Sequence, residues 1–348
     1  MVSILITVVG LGLLIAVHEA GHLVLARLMG MRVETYSLGF GPRIAGFTYK
    51  GTDYRLSALP LGGYCRIAGF TPDEPSANDV NDTGSYMNKP AWRRFLVIAA
   101  GPGVNYLTAF VILAAVYASA GTPVLGRPTQ VDVKDGPAAR AGLKTGDDVV
   151  SIDGKPVASF EEMIAELTKK DAPESRQFVV SRGGERLTLP VRPEGGKIQV
   201  APDRTFVRTS IGTGILRAGQ DVWAINKLQL SAIGNLVRGK GGSLSGPIGI
   251  VKQASAEVKR GVADFAGILA TISVSLALFN FLPVPALDGG RLVFLGIELV
   301  SGRRVNQKAE TVVHLIGFLL LLGLFLAVTL FGDLNLIGVV KKLLHRGG

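Results

Sequence analysis

The chain has 348 residues, of which 48% are hydrophobic, and its mean hydropathy is +0.37. This composition is too apolar for an ordinary soluble protein and indicates a membrane protein with several spans. The formal net charge is +10, but because no basic patch is interleaved with aromatic residues, we expect no nucleic-acid partner. The single cysteine, Cys65, excludes an intramolecular disulfide bond.

Four apolar stretches have the length of membrane spans. They cover about 2–29, 95–119, 266–283 and 312–331, and each is near the ~20 residues that a transmembrane helix needs. The first stretch has no charged n-region and is too long for a signal peptide, so we expect it to be retained. A shorter apolar segment at 292–300 predicts a buried or interfacial helix.

The basic residues predict how the spans are oriented, because Lys and Arg accumulate in cytoplasmic loops. They flank the loop between spans one and two and the loop between spans three and four: Arg27, Arg32, Lys89, Arg93, Arg94, Arg291, Arg303, Arg304 and Lys308. We therefore expect both loops on the cytoplasmic side and residues 120–265 outside. The basic tail at 341–346 disagrees with this orientation, and we give it less weight.

The first span contains the pentapeptide HEAGH, residues 18–22. In the pattern H-E-x-x-H, two histidines one helical turn apart can hold one Zn²⁺, and the glutamate between them can act as a general base. Ionisable residues inside an apolar helix indicate a functional site. A chance match is the alternative, and a third ligand has to come from elsewhere. Because the chain has only four histidines, His18, His22, His314 and His345, a carboxylate is the expected third ligand.

Helix geometry predicts the depth of this motif in the membrane. Starting outside, residues 2–17 rise about 24 Å at 1.5 Å per residue, so HEAGH lies toward the inner edge of a hydrocarbon core of about 30 Å. GPGVN (101–105) in span two and NFLPVPALDGG (280–290) at the end of span three are predicted at the same level. Backbone that is not helical is tolerated at this depth of the membrane only when it is buried in protein or lines a cavity. Asp288 is then the expected carboxylate ligand, and two histidines with one carboxylate are typical of catalytic zinc.

The loops between the spans predict two different structures. Strand-like runs punctuated by glycines within 31–94 indicate β-hairpins that dip into the inner interface. Residues 121–203 indicate a small soluble domain of strands with one helix near 160–169. Its segment GPAARAGLKTGDDVVSIDG (136–154) resembles bacterial PDZ domains, which bind peptides by strand addition. Residues 206–265 are expected to form a linker with an amphipathic surface helix.

Together with LSGPIGI (244–250), these motifs give a resemblance that covers essentially the whole chain. The chain resembles the site-two protease family of intramembrane zinc metalloproteases, in the bacterial regulator-of-sigma-E protease branch. Some members of that branch carry two PDZ domains, whereas this chain has room for one. This departure puts in doubt a mechanism in which two PDZ domains together exclude substrates by size.

The resemblance implies a mainly α-helical polytopic membrane protein with four transmembrane helices, small membrane-associated β-hairpins and an inserted α+β PDZ domain. Residues 1–119 and 266–348 would form the two halves of the protease core, 120–205 the PDZ domain and 206–265 the linker. The expected location is a bacterial inner membrane, with the PDZ domain on the periplasmic side and the active site near the cytoplasmic side.

The resemblance also implies roles for individual residues. His18, His22 and Asp288 would hold one Zn²⁺ per chain, Glu19 would be the general base, and Asn280 would hold substrate backbone or stabilise the oxyanion. The expected reaction is hydrolysis of a peptide bond within or near the transmembrane segment of a pre-trimmed single-pass protein, such as an anti-sigma factor or a remnant signal peptide. The other expected partners are the lipid bilayer and a peptide ligand of the PDZ domain.

Several alternatives stay open at this point. The three ligand candidates could form hydrogen bonds within a helix bundle, Asn280 could satisfy a broken helix end, and Asn105 could only allow close helix approach. A catalytically silent PDZ adaptor is the main rival function, although it would be expected to have lost Glu19 or Asp288. A metal-binding transporter is disfavoured because the chain has no internal repeat. A zinc protease that acts on soluble or prenylated peptides is a further alternative. A metal assay together with cleavage of a transmembrane reporter would distinguish it from a protease of membrane-embedded substrates.

Overall fold

The computed structural model describes residues 2–71, 79, 81–125, 127–133, 136–169, 173–194, 198–239 and 246–333. The first two residues of the LSGPIGI motif, His345 and the basic tail lie outside these ranges. The chain forms two compact units, one from Met1–Val116 with Ile215–Gly348 and the other from Tyr117–Gly214. We call them the membrane unit and the inserted unit.

In chain order the described elements are α1 (Val2–Leu28), β1 (Val33–Tyr49), β2 (Thr52–Ile67), α2 (Ala91–Ser119), β3 (Thr122–Leu125), β4 (Val131–Val133), α3 (Pro137–Arg140), β5 (Asp148–Ile152), β6 (Lys155–Pro156), α4 (Phe160–Leu167), β7 (Arg176–Arg182), β8 (Glu185–Val191), β9 (Val200–Pro202), β10 (Arg204–Val207), α5 (Ile211–Val237), α6 (Pro247–Arg260), α7 (Val262–Phe281), α8 (Asp288–Ser301) and α9 (Gln307–Ala327), which continues into a π-helical turn, Val328–Asp333.

Four helices in the described part of the chain are long and apolar enough to cross a membrane: Val2–Leu28, Ala91–Ser119, Val262–Phe281 and Gln307–Leu330. The prediction of four spans is therefore confirmed at the level of length and composition. The predicted short helix at 292–300 lies within α8. Span two begins four residues earlier than predicted, at Ala91, because Arg94, which interrupts the apolar run, is buried and forms an ion pair with Glu298 of α8.

The strand-like runs predicted within 31–94 form one sheet next to α1, built from two long strands. Strands β1 and β2 pair across a tight turn at Lys50 and Gly51, which both have positive φ angles, as type I′ hairpin turns require. The strands then fold back on themselves, since Tyr36 is a pairing partner of both Tyr54 and Cys65. Residues 33–38 consequently lie between two parts of β2, and residues 63–67 pair with β1 at the margin of the sheet.

The core of the membrane unit packs this sheet against α1, α2 and α8. Its largest fully buried members are Val97 and Ile98 of α2. The Tyr36 hydroxyl donates a hydrogen bond to the Ala16 carbonyl, 2.7 Å away, which ties β1 to α1. Helix α5 also belongs to the membrane unit from Ile215 onward. Its Asn226 accepts a hydrogen bond from the Tyr106 hydroxyl of α2 at 2.6 Å.

The inserted unit has its own core and a four-stranded sheet in the order β6–β5–β7–β8. Phe178, Ile152 and Met163 are its largest buried side chains. Helix α4 begins at a serine cap, because the Ser159 side chain accepts a hydrogen bond from the Glu162 amide. A unit of this size with its own apolar core is organised as an independent α+β domain.

Candidate metal centre

The three predicted ligands, His18, His22 and Asp288, meet at one point inside the membrane unit. The Nε2 atoms of His18 and His22 lie 3.1 and 3.5 Å from the same Asp288 oxygen, Oδ2, and 3.3 Å from each other. Their side chains are about 11% and 10% exposed, and that of Asp288 is 20% exposed. Spacing on α1 explains the histidine pair, since residues four apart share a helix face. The carboxylate comes from α8, more than 260 residues downstream.

These separations fit the predicted ion. Three atoms that bind zinc at about 2.0–2.1 Å in a tetrahedron lie about 3.3–3.4 Å apart. The three ligand atoms of this site lie 3.1, 3.3 and 3.5 Å apart. Asp288 Oδ2 is buried and has no hydrogen-bond partner of good geometry in the described chain. A buried carboxylate oxygen is costly without a partner or a metal. The donor set and its spacing therefore suit Zn²⁺.

Helix α2 contacts the Nδ1 atom of both imidazoles, on the side of each ring opposite Nε2. Nδ1 of His22 lies 2.8 Å from the Val97 carbonyl oxygen, so it donates its proton there and leaves Nε2 as the bare nitrogen. A carbonyl or carboxylate behind a ligating histidine commonly fixes its tautomer and ring orientation. Nδ1 of His18 lies 3.2 Å from the Asn105 side-chain amide. The predicted convergence of GPGVN with HEAGH is thus present in the structure.

Two glycines allow α1 and α2 to approach this closely. A Cβ atom on Gly21 would lie 2.6 Å from the Ala100 carbonyl oxygen. A Cβ atom on Gly101 would overlap the His22 ring and lie 2.9 Å from Cε1 of His18. Within GPGVN, Gly101 is therefore the residue that allows the close approach of the two helices. The buried Asn105 side chain makes a different contact, with His18.

The loop before Asp288 explains the two glycines of NFLPVPALDGG. Cβ atoms on Gly289 and Gly290 would collide with the backbone of Leu282 and Val284, so only glycine permits this tight return of the chain. Ala286 has a φ angle of 75°, a strained value for a residue with a side chain. Its amide donates a 2.9 Å hydrogen bond to Nδ1 of His314. Asp288 then opens α8, where the helix dipole favours a carboxylate.

Glu19 is held between α1 and the sheet. Its Oε2 accepts a 3.0 Å hydrogen bond from the Cys65 backbone amide, so the carboxylate lies where the sheet margin meets the two histidines. Burial, followed by the nearby charge of Glu19, raises the pKa of the Cys65 thiol to about 12. The thiol therefore stays protonated at neutral pH, and since thiolates are the metal ligands and nucleophiles, Cys65 contributes through its backbone.

Asn280 does not join the cluster in this structure. Its side-chain nitrogen donates a 2.9 Å hydrogen bond to Leu276 O in its own helix, and no hydrogen bond in the described part of the chain links it to the three ligands or Glu19. Because an amide nitrogen carries two hydrogens, one donor remains. Its role toward substrate stays a prediction.

Sequence reasoning did not identify several groups that shape this site. The Val97 carbonyl and the Cys65 amide are backbone atoms, so no residue type marks them. His314 entered the sequence analysis only as one of four histidines, yet it accepts the hydrogen bond from the loop that carries Asp288. Its only sequence signal was its place near the start of an apolar span, which does not reveal a partner 28 residues upstream.

The fold and this site define a class of protein: a polytopic membrane protein with a histidine–histidine–aspartate cluster inside the bundle and a glutamate beside it. Comparison with known proteins agrees with this class. The model of peptidase family M50 matches residues 6–324, and the chain belongs to that family. The predicted membership in the site-two protease family is thereby confirmed, because M50 is that family.

The chain is similar along almost its full length to proteins that carry the provisional name of zinc metalloprotease. One from Agrobacterium fabrum is 33% identical, with 94% of each chain covered. One from Rickettsia conorii is 30% identical, covering 94% of this chain and 97% of the relative. One from Clostridium acetobutylicum is also 30% identical, with 94% and 96% covered.

Proposed function

We propose that this protein is an intramembrane zinc metalloprotease that hydrolyses a peptide bond within or near the transmembrane segment of a single-pass membrane protein. The observation that carries the proposal is that Nε2 of His18, Nε2 of His22 and Oδ2 of Asp288 lie 3.1–3.5 Å from one another. The two histidines lie on α1, a helix that is apolar enough to span a membrane, and Asp288 comes from α8. Family membership and the names of the relatives support the same chemistry.

The zinc ligands of this proposal are Nε2 of His18, Nε2 of His22 and Oδ2 of Asp288. Bound zinc supplies a Lewis acid that polarises the scissile carbonyl and lowers the pKa of water. The chain's own contacts position the ligands, since the Val97 carbonyl orients His22 and Asp288 lies at the N-terminus of α8.

Glu19 takes the role of general base and then of general acid. Its carboxylate accepts the proton of the attacking water and returns it to the leaving amide nitrogen. The hydrogen bond from the Cys65 amide fixes one carboxylate oxygen and leaves the other for this transfer. Asn280 contributes its second amide hydrogen to the developing oxyanion, as preorganised donors do in acyl-transfer sites.

The β1–β2 sheet receives the substrate in extended form. A transmembrane helix hides its amides in hydrogen bonds, so a segment must unwind before hydrolysis, and strand addition to a sheet margin replaces those bonds. Residues 63–67 of β2 lie at that margin beside Glu19. The hairpin also presents large apolar side chains that are 45–66% exposed, among them Phe40, Ile44 and Phe47, which suit insertion into lipid.

The inserted unit serves as a peptide-binding PDZ domain in this proposal. Support comes from the PDZ-like segment at 136–154 and from the compact α+β organisation with a separate core. The basic residues of the loops on either side favour a cytoplasmic site and an external PDZ domain in a bacterial inner membrane. Anti-sigma factors and remnant signal peptides are the proposed substrate classes.

Glu19→Gln provides the test of this function. We expect the variant to lose cleavage of a single-pass transmembrane reporter while it keeps its zinc, because the amide cannot accept the proton and does not ligate the metal. Membranes from cells with this variant should accumulate transmembrane stubs in a proteomic comparison. Full cleavage by Glu19→Gln would contradict the mechanism, and zinc-loaded wild-type protein that cleaves no membrane substrate would favour the silent PDZ adaptor.

A further inference from the structure

Asn105 is a fully buried polar side chain that the proposed mechanism has not used. It lies on α2 one turn after Gly101, with no exposed surface. Its Nδ2 lies 3.2 Å from Nδ1 of His18, while its Oδ1 is buried and has no hydrogen-bond partner among the described residues. A buried acceptor without a partner destabilises the fold, so its presence calls for a reason.

We propose that Asn105 is a positioning residue of the metal centre, whose amide oxygen accepts the Nδ1 proton of His18 and thereby presents the bare Nε2 to zinc. The inference rests on the proposed zinc function and assigns a role to one further side chain of the same site. A neutral imidazole carries one proton on its two nitrogens. The nitrogen opposite the ligating atom must therefore carry that proton and needs an acceptor.

The present contacts show why an amide suits this position. Nε2 of His18 lies 3.1 Å from Asp288 Oδ2, and when Nε2 carries the proton to that oxygen, Nδ1 accepts from Asn105 Nδ2. Coordination through Nε2 places the proton on Nδ1 instead. The oxygen and nitrogen of an asparagine amide have nearly the same shape, so a half-turn of the amide puts Oδ1 where Nδ2 is now. Asn105 can thus serve His18 in both tautomers.

The two ligand histidines then have equivalent support from α2. His22 has the Val97 carbonyl behind it at 2.8 Å, and His18 has the Asn105 side chain behind it at 3.2 Å. The backbone at Asn105 is itself fixed, because the Ser273 hydroxyl of α7 donates a 2.8 Å hydrogen bond to its carbonyl oxygen. The backbone that carries the Asn105 side chain is therefore held in place, as precise metal sites require.

Three variants of the full chain, purified in detergent, separate this role from packing. Asn105→Leu keeps the approximate volume and removes the acceptor. Asn105→Asp keeps the shape and supplies an acceptor of the carboxylate–histidine–zinc type. Asn226→Leu is the matched control, because it removes a partly buried hydrogen bond between Asn226 and Tyr106 that does not involve the metal centre.

The primary readout is zinc affinity from competition with a chromophoric chelator. We expect Asn105→Leu to lower the affinity about 10- to 100-fold, the usual loss for a group behind a metal ligand, whereas Asn105→Asp and Asn226→Leu stay near the wild-type value. Equal affinities for Asn105→Leu and wild type, or equal losses in Asn105→Leu and Asn105→Asp, would overturn the proposal. Wild-type protein that binds no zinc would overturn the proposed function as well, so the two failures are distinguishable.

A second measurement needs no substitution at Asn105, in case Asn105→Leu does not fold. In zinc-loaded wild-type protein labelled with ¹⁵N-histidine, we expect the NMR signal of His18 Nδ1 to be that of a protonated, hydrogen-bonded nitrogen. The His314→Phe variant helps to assign the spectrum. A protonated Nε2 on His18, with Nδ1 as the ligating atom, would refute the inference.

Discussion

Replacing Gly101 by alanine tests the close approach of α2 to the metal ligands. The added Cβ would overlap the His22 ring and lie 2.9 Å from His18 Cε1, so both imidazoles or the helix must move. Overpacking of this kind costs about 1–3 kcal/mol. If the two imidazole rings move to relieve the overlap, this cost reduces the free energy of zinc binding. Since about 1.4 kcal/mol corresponds to a tenfold change in affinity, zinc affinity should fall about 5- to 150-fold.

Gly103→Ala is the matched control, because it makes the same change two residues away in the same motif and helix. A Cβ at Gly103 meets no atom within 4 Å, and alanine is the better helix former by about 1 kcal/mol. Zinc affinity from chelator competition should therefore be unchanged in Gly103→Ala and thermal stability equal or higher. Wild-type zinc affinity in Gly101→Ala, or equal losses in both variants, would refute the reasoning from helix approach.

The remaining predictions concern the loop before Asp288 and the inserted unit. His314→Phe keeps a ring against Phe294 but removes the acceptor of the Ala286 amide, so it should lower the free energy of unfolding by about 1–3 kcal/mol. Ala286→Gly relieves a φ angle of 75°, so it should leave the free energy of unfolding unchanged or raise it by up to about 1 kcal/mol. A clear decrease in the free energy of unfolding would contradict the assigned strain. In the inserted unit, burial acts to raise the pKa of Asp147, but the hydrogen bond from Arg182 holds that pKa below its usual value. The Asp147–Arg182 pair therefore stabilises the protein above the unfolded-state pKa of about 4 and loses this effect as the pH falls below that value. The difference in thermal midpoint between wild type and Asp147→Asn should shrink from pH 6 toward pH 3. A difference that does not change with pH would contradict this coupling of protonation to stability.

The sequence predicted the spans and the convergence of motifs for a physical reason. A run of about 20 apolar residues has few folds other than a membrane helix, and two histidines four apart must share a helix face. Asp288 could be placed beside them because helix rise and the charge bias of the loops set a common depth. The predicted metal-binding and catalytic roles of these residues stay predictions.

The parts that sequence reasoning missed depend on long-range partners. The chain around Gly39 and Gly62 has positive φ angles where β1 and β2 fold back, and periodicity alone does not reveal which strand segments then pair. Arg94 looked like the border of span two, yet its partner Glu298 lies about 200 residues downstream and allows it to be buried. The partner of His314 is a backbone amide, which no side-chain pattern marks.

The central claim is that His18, His22 and Asp288 hold one zinc ion beside Glu19. Anomalous diffraction from crystals of the purified wild-type chain, measured at the zinc absorption edge, tests it most directly. We expect one peak per chain, about 2.0–2.2 Å from Nε2 of both histidines and from an Asp288 carboxylate oxygen. A zinc peak bound elsewhere, or zinc-loaded crystals without a peak between these three side chains, would contradict the account.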